Sequence, residues 1–180
     1  MTWFFNKIKQ NRIRVRSGCI LLLFLTGYLR SYSQEHPPSP TGQAPTLPGN
    51  WTYNVPGADI TEAGNNFTGT YESAANQMIF NRNSPGIYYP NWSITVNKSD
   101  VLWNANIKLW IRRTGNGTSV SGATISNGAG YQEIVNTPTS FFSGYKEVNE
   151  VPLQLKFTGI SVVVPVNTYS TILTFTVTEY

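Results

Sequence analysis

From Asn91 to its C-terminus the chain repeatedly places an apolar residue at every second position. In NWSITVN (Asn91–Asn97), Trp92, Ile94 and Val96 alternate with Ser93 and Thr95. In NIKLWIRR (Asn106–Arg113), Ile107, Leu109 and Ile111 alternate with Lys108, Trp110 and Arg112. VPLQLKF (Val151–Phe157) sets Val151, Leu153, Leu155 and Phe157 against Gln154 and Lys156. The final TYSTILTFTVTEY (Thr168–Tyr180) sets Tyr169, Leu173, Phe175 and Val177 against Thr174, Thr176 and Thr178. Successive strand side chains point to opposite faces, so each segment predicts a strand with one buried face. WTYNV, FTGTYES and NQMIFNR add shorter candidates, and GISVVVP reads as a continuous apolar strand. Clusters rich in Gly, Asn, Ser and Thr, notably RTGNGTSVSG and SNGAG, separate them as turns. No segment keeps a helical period, and no solenoid or propeller repeat is present. About 7–9 short strands of this kind predict an all-β chain of two antiparallel sheets packed face to face, with a small β-barrel as the alternative.

The first fifty residues follow a different pattern. MTWFFNKIKQNRIRVR carries Lys7, Lys9, Arg12, Arg14 and Arg16 with no acid, and the apolar run CILLLFLTGYL (Cys19–Leu29) follows. A basic stretch, a short apolar stretch and small residues before a cut describe a secretory signal peptide. The expected cut falls after Ser33, with Ser31 at the −3 position, so residues 1–33 form the signal and Gln34 begins the mature chain. The apolar run is interrupted by Gly27 and followed by Arg30, too short for the roughly 20 apolar residues a spanning helix needs, so no membrane insertion is expected after cleavage. Residues 34–50 (QEHPPSPTGQAPTLPGN) contain Pro37, Pro38, Pro40, Pro45 and Pro48 and read as an extended leader, leaving 51–180 as the folded domain.

Removing the signal reverses the charge. The whole chain carries +4, but residues 34–180 keep seven Lys and Arg against nine Asp and Glu, a net charge of −2. No basic stripe remains to neutralise phosphates, which argues against nucleic acid as a partner. The single cysteine, Cys19, precedes the apolar run, so the mature chain has no disulfide and no thiol chemistry.

Candidate chemistry is sparse, and no cofactor or metal is expected. The single histidine, His36, lies in the proline-rich leader, so a Ser–His–Asp arrangement has no held base. There is no His cluster, Asp-rich calcium loop or phosphate-binding Gly loop. Glu147 and Glu150, three residues apart, are the candidate carboxylate pair and read as a solvated loop, which leaves a small secreted glycoside hydrolase as the weakest of three readings. Aromatic residues suggest more. Trp110 points away from Ile107, Leu109 and Ile111, beside Lys108 and Arg112, where it is placed to stack on a sugar or anchor a partner. Trp103, Tyr88 and Tyr89 are further ligand-facing candidates, whereas Phe141 and Phe142 read as a strand entering the core. Asn-x-Ser/Thr triplets begin at Asn50, Asn66, Asn91, Asn97 and Asn116. The signal and the Asn/Thr-rich β composition look bacterial, which makes the triplets incidental.

VPVNTYSTILTFTVTEY resembles the C-termini of chaperone–usher pilus subunits and of spore coat protein U-like domains, with a Tyr, an alternating Leu/Val/Thr run and a final aromatic. The resemblance implies an immunoglobulin-like sandwich that lacks one strand, supplied first by a chaperone and then by a neighbouring subunit. It also implies that Tyr169, Leu173, Phe175 and Val177 line the groove that receives it. The leader of this chain is a poor donor, because each of its five prolines lacks a backbone N–H. The resulting expectation is an exported, non-catalytic bacterial surface protein with a structural or adhesive role, in the periplasm, on the cell surface or outside the cell. Its partners would be other surface or pilus proteins, or glycans. A carbohydrate-binding module is the alternative.

Overall fold

The computed structural model describes residues 2–5, 9–10, 47, 50–55, 67, 71–83 and 90–180. Among these residues there is no helix, and the strands are β1 (Thr2–Phe5), β2 (Lys9–Gln10), β3 (Thr52–Asn54), β4 (Tyr71–Glu72), β5 (Met78–Arg82), β6 (Asn91–Leu102), β7 (Lys108–Arg113), β8 (Thr118–Ser119), β9 (Thr124–Ser126), β10 (Gln132–Glu133), β11 (Thr139–Tyr145), β12 (Val148–Thr158) and β13 (Tyr169–Glu179). One sheet runs β3-β1-β13-β6-β11-β9, with β2 also on β13. The other runs β10-β7-β12-β4, with β5 and β8 also on β12. The two sheets pack face to face, so the expected all-β antiparallel sandwich is what the chain forms. Its strands outnumber the expected 7–9 because several sheet edges are ladders of only two residues, as in β2, β4, β8 and β10.

The inward residues are those the alternation selects. Trp92, Ile94 and Val96 of β6, Leu109 and Ile111 of β7, and Val151, Leu153, Leu155 and Phe157 of β12 are all buried, as are Tyr169, Leu173, Phe175 and Val177 of β13. Trp92 donates from Nε1 to the Lys146 carbonyl at 2.7 Å, which satisfies the one polar atom of a fully buried indole. Gly144 lies against that ring, and a Cβ there would collide with it, so the close approach of β11 to Trp92 requires glycine. Phe141 and Phe142 are both buried although adjacent. The β6–β11 register shifts between Ser140 and Phe142, and such a bulge turns two neighbours to one face.

Two stretches differ from the sequence reading. GISVVVP forms a turn rather than a strand: Ile160 and Val164 are buried, while Val162 and Val163 are exposed, as is Val166 just after it. The core also begins before Trp51, because Leu47 at the end of the proline-rich stretch is already buried. The expected signal cleavage site and most of residues 34–50 lie outside the described residues.

All pairings are antiparallel except those of β1 and β2, which run parallel to β13. Trp3 faces Tyr169 and Phe5 faces Thr171, and farther along Lys9 faces Thr174. β1 also pairs with β3, so β3 reaches this sheet only through β1.

Candidate functional site

Two places carry the residues singled out from sequence. The first is β13. Ten of its residues pair with β6 along one edge, from Ser170 to Glu179, while on the other edge β1 pairs with Tyr169–Thr171 and β2 with Thr174 and Phe175. Tyr169 and Phe175 therefore have described partners on that second edge, whereas Val177 lies beyond it. Thr171 shares their face and is fully buried, a position the strand parity marks but its polarity hides. Its hydroxyl donates to the Ser99 carbonyl or to Asp100 Oδ1, each at 3.0 Å.

That Asp100 belongs to a polar cluster at the end of β6. Lys98 continues the inward parity of Trp92, Ile94 and Val96, and its Nζ donates to both Asp100 oxygens at 2.7 Å. Asn136 Nδ2 adds a third contact at 3.1 Å. Burial pushes the Asp100 carboxyl up, but the hydrogen bonds from Lys98, Asn136 and Thr171, with the Lys98 charge, together hold it below its ordinary value. Trp103 joins this cluster. Its ring lies 5.2 Å from Lys98 Nζ and its Nε1 donates to the Ile107 carbonyl, so it fastens the β6–β7 connection while half-buried.

The second place is the outer face of the other sheet. Register puts Glu133, Trp110, Lys156 and Glu72 in one row across β10, β7, β12 and β4. Arg112 and Gln154 pair in the next row, and Arg112 donates from Nε and Nη2 to Gln154 Oε1 at 2.9 and 2.7 Å. Gln154 Nε2 in turn donates to the Ser73 carbonyl at 2.9 Å. Tyr131 lies over this row, its ring 4.5 Å from the Arg112 guanidinium and 3.9 Å from Lys156 Nζ. Lys156 Nζ is also 5.8 Å from the Trp110 ring, whose Nε1 donates to Thr158 Oγ1 at 2.9 Å. Trp110 is therefore outward and half-exposed, as its parity requires. The Tyr131 hydroxyl is buried beside Glu72 and Arg112, and burial, then the Glu72 charge, push its pKa up.

Trp110 and Arg112 thus share one face, and Trp103 belongs to a separate polar cluster. Tyr88 and Tyr89 lie outside the described residues. The sequence reading missed Tyr131 and Lys156. Lys156 was legible as the outward neighbour of Leu155 and Phe157; Tyr131, in a loop before a two-residue strand, had no periodicity to mark it. Glu147 and Glu150 have separate contacts, Glu147 with Asn149 Nδ2 and Glu150 with the Thr118 hydroxyl. Comparison with protein families, with curated proteins and with solved structures finds no match to this chain.

Proposed function

We propose that this chain is an exported, non-catalytic bacterial surface protein with a structural or adhesive role, completed by an extended strand from a partner protein. The supporting observation is the position of β1 and β2. Among the described residues β1 is what links β3 to the rest of its sheet, and both strands lie in the stretch read from sequence as the basic start of an export signal. Removal of that signal uncovers the Tyr169–Phe175 edge of β13 and leaves a space one strand wide beside β3. A strand edge over a buried apolar face is a template for strand addition. The second reading, a carbohydrate-binding module, rests on the aromatic outer face of the other sheet, where Trp110 and Tyr131 flank Lys156.

Hydrogen exchange tests the first reading. In protein recovered after export and shown by mass to start at Gln34, the edge amides of Tyr169–Phe175 should exchange fast. Adding a peptide of residues 1–10 should protect them and raise the melting temperature. Full protection in a monomer without peptide contradicts strand acceptance.

A further inference from the structure

At the end of β7 the outer face opens into a recess of about 340 Å³, lined by Arg112, Arg113, Thr114, Gly115, Asn116 and Ala129. This is the low end of the range for small-ligand pockets. Its lining residues include two arginines and no acid. Both guanidinium groups are held in place. Arg112 is fixed by its two bonds to Gln154 and by the Tyr131 ring, and Arg113 donates from Nε to the Asn127 carbonyl and from Nη1 to Asn116 Oδ1 and the Gly115 carbonyl.

Pre-positioned guanidinium donors match the geometry of a carboxylate or sulfate. The acids in the neighbouring row have other partners: Glu133 pairs with Lys108 at 3.3 Å, and Glu72 accepts from Gln154 at 3.5 Å. Burial also pushes the Arg113 pKa down, a cost that a bound anion offsets. Trp110 lies two residues back along the same strand face, about 7 Å from Arg112, and the Tyr131 ring stands over Arg112, with Lys156 between it and Trp110. An anionic group seated between the guanidiniums therefore leaves the rest of a sugar over aromatic rings.

We infer that the recess between Arg112 and Arg113 binds the anionic group, carboxylate or sulfate, of an acidic saccharide whose ring extends toward Tyr131 and Trp110. The inference rests on the saccharide reading of this face and is independent of strand acceptance at β13. Isothermal titration of the protein with three oligosaccharides tests it: one containing uronic acid, its sulfated counterpart and its neutral counterpart. Binding of either acidic form without the neutral one supports the inference and identifies the anion. Equal binding of the neutral form keeps the saccharide reading and overturns the anion site; no binding at all overturns both. Ala129→Glu places a competing carboxylate at the exposed rim without touching either Arg and should weaken binding about tenfold or more. Arg112→Lys keeps the charge but loses the planar fork, and should weaken it similarly. Unchanged affinity in Ala129→Glu, in protein with an unaltered melting temperature, overturns the site.

Discussion

Lys98 shows how one residue departs from a pattern and why the fold accepts it. Parity sends its side chain inward, where an unpaired ammonium would be costly, and Asp100 meets it two residues later on the same strand. The register shift at Ser170/Thr171 sets Asp100 opposite the buried Thr171, whose hydroxyl completes the cluster. Alternation made the apolar faces of β6 and β13 readable, but the cluster depends on a bulge and on a loop residue, Asn136, neither of which periodicity records. Because the Asp100 pKa is depressed, the stabilisation from this carboxylate is complete above the ordinary value of 3.8 and is lost as pH falls below it through the lower folded value. Asp100→Asn should therefore lower the urea midpoint at neutral pH. That deficit should shrink as pH falls from about 4 to about 2. A deficit that stays constant over this range would show that the charge is not what the cluster uses.

At the scale of elements, the long strands were legible because each has one face in the core. β6, β7, β12 and β13 follow their predicted alternation, with β6 and β12 extending past the segments that announced them. GISVVVP was misread for the complementary reason. A run of apolar residues carries no parity, so it fits a buried strand or a turn whose side chains divide between core and solvent. Here Ile160 and Val164 enter the core, Val164 N donates to the Ser161 carbonyl at 3.0 Å, and Val163 and Val166 stay outside. The difference is measurable. Val163→Lys and Val166→Lys should shift stability by no more than about 0.5 kcal/mol. Val164→Ala should cost on the order of 1–2 kcal/mol, because it removes buried methyl groups. Comparable losses from all three would mean that the segment is packed as a strand.

Among the described residues, the two sheets are joined mainly by apolar side chains, and an ionic tie also runs between them. Arg82 ends β5 in the second sheet with its side chain buried, and its Nη2 donates to Glu179 Oε1 at the end of β13 in the first. The partners are 97 residues apart in sequence, so no local signal marks them; strand parity indicates only that Arg82 points inward, after Met78 and Phe80. Glu179 pairs with Trp92 in the β6–β13 ladder, which places the tie beside the aromatic contact of Trp92 with Phe80 and Phe142. Removing Glu179 takes a carboxylate from a buried cation, and for such a cation that loss exceeds the net value of the pair. Because Glu179 is partly exposed, the cost is smaller than in a fully buried pair. Glu179→Gln should destabilise the sandwich by about 1–3 kcal/mol. The double variant Arg82→Met/Glu179→Leu should recover much of that loss by replacing the tie with apolar packing. Urea midpoints of the two variants decide the matter. If the double variant is destabilised by the full sum expected of independent sites, the two residues act separately and the sheets are held by the core alone.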